Sequence, residues 1–312
     1  MVVNPREATT PTIAGDIAPL TGGTAGAPLR QSNLWKDAWR RYVRNRAAVV
    51  AGATFVLVVL FCVIWPIVSP YDGNDVNFAL KNESPSLRHP FGTDNFGRDM
   101  MTRTAEGGRV SIGIGFAATI AILLAGVAYG SISGFIGGRL DNAMMRLLDT
   151  LYGLPYLPFA IIILAIFGEA SFWTMVVALS IISWFTTARI VRGQIITLKE
   201  NDYVRAARAV GARWYRILGR HLLPNTLGVL IIAIFLELPG VILGEAFLSF
   251  IGLGIGAPDA SWGQMANDGR TAYRTSPHII AVPSIAIATL ILAANFIADG
   301  LRDALDPRTR ET

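Results

Sequence analysis

Long apolar runs, separated by polar and charged segments, recur along the chain from Val49 almost to the C-terminus. Each approaches the ~20 residues that a helix needs to cross the hydrocarbon of a bilayer. Helices are predicted because a backbone in lipid must satisfy its own hydrogen bonds, and no run alternates like a barrel strand. The pattern predicts six transmembrane helices, over residues 49–68, 110–135, 151–167, 171–191, 226–250 and 278–299.

The composition fits a membrane protein. Hydrophobic residues make up 52% of the 312 residues, charged residues only 16%, and the mean hydropathy is +0.46. A soluble chain of this length needs more polar residues to cover its core, so membrane lipid is the predicted solvent. In a membrane protein the net charge of +5 reflects basic cytoplasmic loops, and no nucleic-acid partner is predicted.

The distribution of basic residues predicts the orientation. With the N-terminus in the cytoplasm, 20 of the 27 Lys and Arg residues lie on the cytoplasmic side, and both termini are inside. The predicted organisation is a disordered cytoplasmic tail over 1–33, an interfacial helix over 34–48, the first span over 49–68, an extracytoplasmic segment over 69–109, a five-helix core over 110–302 and a cytoplasmic tail over 303–312.

The second predicted span is rich in small residues. Small side chains let helices approach each other closely in lipid, so this span is predicted to pack at the centre of the bundle. The residues concerned are Gly113, Gly115, Ala117, Ala118, Ala125, Gly126 and Gly130.

The long basic loop between the fourth and fifth spans, residues 202–225, carries the first functional signal. Alanine and arginine favour a short helix up to Val210, Gly211 can end or bend it, and Pro224 precedes the next span. Such a helix on the cytoplasmic face could cover the bundle or bind anionic lipid.

The identities and spacing of the residues in this loop indicate a function more specifically than the helical periodicity does. The pair Ala206-Ala207 is followed after three residues by Gly211 and farther on by Leu223-Pro224. This spacing resembles the EAA motif, the cytoplasmic signature of bacterial ABC-importer permeases, although Arg205 stands where the signature has Glu. The resemblance implies an all-α polytopic protein of the bacterial cytoplasmic membrane, with the type I importer permease fold.

In the family that this loop resembles, a coupling helix docks on an ATPase subunit and transmits ATP-driven closure to the spans. The resemblance implies as partners two ATPase subunits, a second related permease and an extracytoplasmic solute-binding protein. It places ATP and magnesium in the ATPase subunits and no cofactor in this chain. The coupling residues that it implies are Tyr203, Arg205, Ala206, Ala207, Gly211, Ala212, His221, Leu223 and Pro224.

Further sequence motifs on the predicted outer side restrict the resemblance to one group of these permeases. HPFGTDNFGRD at residues 89–99 resembles the start of the second span in permeases of the dipeptide, oligopeptide and nickel group. EAFLSFIGLG at 245–254 and PDASWGQM at 258–265 resemble the end of the fifth span and the following loop in that group. With the long N-terminal tail, the chain is similar to the C-type subunit of a permease pair. The implied solute is a peptide, with nickel or another small solute as the alternative.

Motifs for bond-breaking chemistry do not occur in the sequence. None of the three lysines, Lys36, Lys81 and Lys199, completes a GxxxxGK[ST] phosphate loop. The histidines are far apart in sequence and Cys62 is the only cysteine, so no catalytic or metal site is predicted. The free energy for uphill transport must therefore come from a partner or from an ion gradient.

The ion-gradient alternative depends on acidic residues in the fifth span. Glu237 and Glu245 lie on either side of Pro239, and ionisable residues in spans often mark proton or ion routes. In a secondary transporter one of them would carry a proton. In an ABC permease they would pair within the bundle or line the solute route with Trp184 and Thr187 of the fourth span. The Ala-Ala-Gly loop favours the ABC permease, since a secondary transporter does not need it.

Overall fold

The computed structural model describes residues 34–305, so the predicted tail over 1–33 and the last residues of the chain lie outside the described part. Within this range the chain is helical and has no strand beyond one isolated bridge between Thr93 and Asp99. The helices are α1 (Leu34–Arg44), α2 (Arg46–Val68), α3 (Met100–Ile136), α4 (Gly138–Tyr152), α5 (Tyr156–Phe167), α6 (Phe172–Leu198), α7 (Asp202–Ala209), α8 (Trp214–Ile217), α9 (Leu223–Leu248), α10 (Trp262–Gly269) and α11 (His278–Leu305).

The all-helical membrane fold predicted from the sequence is confirmed. Five helical segments of the described chain are long and apolar enough to cross a membrane: α2, α3, α6, the path from α8 through α9, and α11. The pair α4 and α5 makes a sixth span if the two helices, bent by 86°, are counted together.

The predicted third span over 151–167 is not one continuous helix. Helix α4 runs to Tyr152, and α5, with 12 residues, starts only at Tyr156. A helix of that length rises about 18 Å, less than the ~30 Å of bilayer hydrocarbon. The break follows from Gly153 and Pro155, because glycine weakens a helix and proline pushes the residue before it out of the helical region.

Helix α3 lies at the centre of the bundle, as its small residues predict. It packs against α2, α6 and α9, and its contact with α6 is the most extensive between two helices of the described residues. A Cβ atom at Gly126 would lie 2.7 Å from the Thr187 side chain, and one at Gly130 would lie 2.2 Å from the Ala188 carbonyl oxygen. Only glycine permits this approach of the two backbones.

The first two helices meet at Asn45, earlier than the predicted boundary after residue 48. The Asn45 side chain caps α2 by accepting a hydrogen bond from the Ala48 amide at 3.2 Å. The Tyr42 hydroxyl donates to the Ala48 carbonyl at 3.0 Å. Ala48 also lies against Gly300 of α11, where a Cβ would come within 2.3 Å of the Ala48 methyl group. The junction of α1 and α2 is therefore held on the C-terminal part of α11.

Helix α3 begins at Met100, well before the predicted start of the second span at residue 110. Asp99 caps it, and its side chain accepts hydrogen bonds from the amide and the hydroxyl of Thr102, both at 2.8 Å. Hydropathy missed this first part of α3 because its residues are polar, although several of them are buried in the protein.

A proline inside α2 is compensated by an arginine from α3. Pro66 has no N–H, so the Cys62 carbonyl four residues earlier lacks its helical donor. Arg109 Nε donates to that carbonyl at 2.8 Å, and its Nη2 donates to the Val63 carbonyl at 2.5 Å. The arginine thereby ties the end of the first span that contains Pro66 to the central helix.

We predict that replacing Arg109 by Met destabilises the protein by about 2 kcal/mol, because the Cys62 carbonyl loses its donor. With Pro66→Ala the helix supplies its own N–H, and Arg109→Met should then cost about 1 kcal/mol less. A double-mutant cycle of equilibrium unfolding in mixed micelles measures this coupling. Equal costs in both backgrounds would contradict the pairing.

Candidate functional site

A glycine ends the first helix of the inner loop. Gly211 has a φ of +78°, a left-handed conformation that favours glycine. Its amide donates to the Arg208 carbonyl at 2.9 Å, and the Ala212 amide donates to the Ala207 carbonyl at 3.0 Å. These two hydrogen bonds form a Schellman motif. The motif closes α7 and turns the chain toward α8.

Helix α8 is already the start of the fifth span. One helical path runs from Trp214 through a wide turn at Leu218–Leu222 into α9. In this turn the Leu223 amide donates to the Leu218 carbonyl, five residues back, as in a π-helix. Pro224 follows in the first turn of α9, where its missing N–H is tolerated. The predicted start of the span near residue 226 is therefore too late, and the loop consists of α7 and the turn at Gly211.

One buried residue seats α7 on the bundle. Val204 is fully buried and packs in an apolar cluster formed by the end of α6 and the start of the fifth span. The cluster contains Val191, Ile195, Ile217, Leu218, Leu222 and Leu230. Because α7 is only eight residues long, it cannot be stable alone, and this packing holds it in place.

The opposite side of the loop exposes an apolar and aromatic surface. On the loop Val210 is 84% and Tyr203 38% exposed, and at the start of the fifth span Trp214 is 54% and Tyr215 49% exposed. Large exposed apolar patches mark interaction sites. Ala206 lies between them and is also exposed. We call these five residues the α7–α8 surface. A surface that is apolar on a rigid base has the properties of a docking site for another protein.

The predicted coupling residues fall into two groups. Ala206, Gly211, Tyr203, Pro224 and Arg205 are exposed, and Arg205 lies 3.6 Å from Glu200 in a surface ion pair. The other four predicted coupling residues are half-buried. Ala207, Ala212 and Leu223 pack on the apolar cluster. The His221 ring centroid is 6.4 Å from that of Tyr203.

Ion pairs that the sequence analysis missed brace the spans next to this loop. Arg192 of α6 donates to both carboxylate oxygens of Asp141 in α4 at 2.6 Å, and the Ser133 hydroxyl of α3 also donates to Asp141. Lys199 donates to the Gly134 carbonyl near the end of α3 at 2.9 Å. A basic group at a helix C-terminus satisfies carbonyls that have no helical donor. The sequence signal for this pairing is Asp141, an acidic residue that follows the break between α3 and α4 at Gly137-Gly138.

Glu245 lies inside the bundle. It is fully buried, and its two oxygens accept hydrogen bonds from the hydroxyls of Ser111 at 2.9 Å and Ser249 at 2.7 Å. The Ser111 hydroxyl in turn accepts from the amide of Trp262 at 3.1 Å. The carboxyl group therefore joins α3, the end of the fifth span and α10.

The other predicted pathway residues differ in their surroundings. Thr187 is buried in the contact between α6 and α3. Trp184 is half-buried, with its ring centroid 5.0 Å from that of Tyr129, and its indole N–H donates to the Ile181 carbonyl. Glu237 is only half-buried in the middle of α9. Of the two glutamates among the predicted pathway residues, Glu245 is fully buried and Glu237 is partly exposed.

The outer motif at 89–99 folds into a buried polar cluster. His89 Nδ1 lies 2.9 Å from Asp99, the cap of α3. The Asp94 carboxylate accepts from Arg98 Nε at 2.7 Å and lies 3.5 Å from Arg103. All five side chains are buried, which requires such partners. The resemblance of the motif to a permease group does not by itself predict this pairing.

The cluster extends to the loop between the last two long helices. Asn95 donates to the Asp268 carbonyl at 2.8 Å, and His278 lies 3.1 Å from the Thr93 carbonyl. Burial raises the pKa of the Asp268 carboxyl group, while a hydrogen bond from Gln264 and the charges of Arg103 and Arg98 act in the opposite direction. The outer segment and α10 therefore form one connected surface.

Family models match most of the described chain. Residues 126–311 match the model of the binding-protein-dependent transport system inner membrane component. Residues 33–85 match the model of the N-terminal transmembrane domain of oligopeptide transport permease C.

Curated relatives cover nearly the whole length. The oligopeptide transport system permease protein OppC of Bacillus subtilis is 43% identical over 89% of this chain and 91% of its own. The dipeptide transport system permease protein DppC of the same organism is 44% identical over 88% and 86%. OppC of Escherichia coli K12 is 41% identical over 89% and 92%.

We predict opposite effects of alanine at two glycines near the α7–α8 surface. Neither Gly211 nor Gly219 has an atom near its Cβ position, but only Gly211 has a positive φ. Gly211→Ala should cost about 1 kcal/mol and lower the hydrogen-exchange protection of α7 roughly fivefold. Gly219→Ala, in a helical turn, should leave protection unchanged or raise it. Equal effects would contradict the role assigned to the Schellman motif.

Glu245→Gln and Glu245→Leu test whether this side chain holds the bundle. Gln keeps an oxygen acceptor beside the two serine hydroxyls, so stability and transport should remain close to those of the wild type. Leu leaves those hydroxyls unpaired, and we expect a loss of about 2 kcal/mol in the free energy of unfolding. Transport assays in proteoliposomes and unfolding in mixed micelles measure the two effects. Loss of transport in a stable Gln variant would instead indicate a proton carrier.

Proposed function

Because the chain belongs to the family of binding-protein-dependent transport system inner membrane components, a multi-pass permease of the inner membrane, we propose that it imports peptides with energy from ATPase subunits. The permease forms part of a membrane-embedded ABC transport complex. In our proposal two ATPase subunits bind ATP and magnesium, a second related permease completes the route, and an extracytoplasmic binding protein delivers the solute. This chain itself breaks no bond.

The α7–α8 surface is the observation that carries the proposal. It is apolar, exposed and seated on a buried cluster that includes residues of α6 and of the fifth span. A protein that docks there and moves transmits force to two spans without first deforming the loop. Val204 is the mechanical link, because it is buried between α7 and those spans.

On the basis of the positive-inside bias, we propose that this surface lies in the cytoplasm, where ATP is available. The same orientation puts the outer cluster around His89–Asp99 and α10 on the extracytoplasmic face. We propose that this face, which is held rigid by buried ion pairs, meets the binding protein.

Glu237 supports a solute route shared with a second permease. An ionisable side chain in the middle of a span faces the bundle interior, an aqueous cavity or a partner, because lipid contact is costly. Its half-buried position on α9 leaves part of it uncovered by this chain. A second permease packed against this side would enclose a polar route between the two subunits.

Peptides are proposed as solutes because the relatives above are named as oligopeptide and dipeptide transport permeases. Nickel or another small solute remains the second candidate. An ion-gradient transporter is not favoured, since the family is defined by its dependence on a binding protein and Glu245 is engaged in hydrogen bonds within the bundle.

The variant Val210→Glu tests docking of the ATPase subunits. Val210 is exposed, so the variant should fold normally, but a charge buried unpaired in an interface is costly. We expect capture of the ATPase subunits and coupled ATP hydrolysis to fall about tenfold or more. Co-purification and hydrolysis assays on the assembled complex measure both quantities.

Leu87→Glu is the matched control, because Leu87 is fully exposed on the outer segment. It should leave capture of the ATPase subunits unchanged. If Val210→Glu behaves like this control, the α7–α8 surface is not the docking site. If the wild-type complex transports solute with no ATPase bound, the proposed energy source is wrong.

A further inference from the structure

An apolar groove runs between the first and last spans at the end of the bundle where α1 lies. It has a volume of about 480 Å³, with walls formed by Val50, Ala51 and Thr54 of α2 and by Leu292, Ala293 and Phe296 of α11. Val50 and Leu292 are more than half exposed. Both walls belong to membrane-spanning helices, so the groove opens at the depth of lipid acyl chains.

One end of the groove is charged. Arg46, the first residue of α2, lines it, and Arg44 lies on the other side of Asn45. Both arginines are exposed, and so are Lys36 and Arg40 on α1. Asp37 is the acidic residue of α1. A basic cluster directly beside a transmembrane helix attracts anionic lipid headgroups.

A close contact between α2 and α11 lies near the groove. Gly300 brings α11 into contact with Ala48 and Tyr42, so the two spans touch close to the membrane surface. Farther into the membrane the small side chains of Ala51 and Ala293 leave the space unfilled. The result is an apolar cleft with cationic groups at the membrane surface.

We propose that this groove binds one anionic glycerophospholipid, with an acyl chain between α2 and α11 and its phosphate group at Arg44 and Arg46. The apolar walls match the chain, and the guanidinium groups match the phosphate, which they bind through charge-assisted hydrogen bonds. The bound lipid would fix the junction of α1 and α2 on α11. This proposal does not depend on the energy source or on the solute.

The test uses the purified full-length chain in mild detergent with equal amounts of phosphatidylglycerol and phosphatidylcholine. Native mass spectrometry counts the lipids that remain bound. The wild type should retain one phosphatidylglycerol in preference to phosphatidylcholine. The double variant Arg44→Gln/Arg46→Gln should bind phosphatidylglycerol roughly 30-fold more weakly, because each basic residue near the membrane surface contributes about a factor of five.

The control is Arg270→Gln/Arg274→Gln, which removes the same charge from exposed arginines before the opposite end of α11. It should bind phosphatidylglycerol like the wild type. Val50→Trp tests the groove separately, since it fills the groove from an exposed position without a change in charge, and it should also lose the bound lipid.

Three results would overturn the proposal. The first is equal retention of the two lipids by the wild type, and the second is an unchanged preference in the arginine variant. The third is a retained lipid in Val50→Trp, which would place the lipid outside the groove. In the assembled complex, a crosslink from Val50→Cys to the second permease would assign the groove to a protein interface instead.

Discussion

The structure depends on one constraint: a backbone carbonyl in hydrocarbon has no water to bind, so each break in a helix needs a partner from the protein. At Pro66 the partner is Arg109, which donates to the Cys62 carbonyl. At the end of α3 it is Lys199, which donates to the Gly134 carbonyl. Each repair comes from a different helix, and therefore each also joins two helices of the bundle.

The same constraint shapes the inner loop. The Schellman motif at Gly211 satisfies the last carbonyls of α7. The wide turn at Leu218–Leu222 then joins α8 to α9 as one helical path, with no loop before Pro224. The short helix is consequently joined to the fifth span by a few ordered residues. A partner that moves the α7–α8 surface would act on this ordered connection, as the proposed coupling to ATPase subunits requires.

Buried charge is treated differently at three places in the structure. Around the start of α3, His89, Asp94 and Asp99 form a closed network that anchors this helix. In the middle of the bundle Glu245 is enclosed by hydroxyl groups, whereas Glu237 is left partly uncovered. The first two sites are complete within this chain. The third is partly exposed, and this contrast marks the side of the bundle on which the solute route is proposed.

The sequence alone determined the membrane class, the helical fold and the family, because apolar runs of spanning length and the Ala-Ala-Gly spacing are local patterns. It also indicated that α3 is central, since small residues have one main use between helices in lipid. The early start of α3 at Met100 and the partners of Glu245 were decided only in three dimensions. Hydropathy measures the affinity of a segment for lipid, and it cannot distinguish a polar residue in water from one buried against a distant helix that satisfies it.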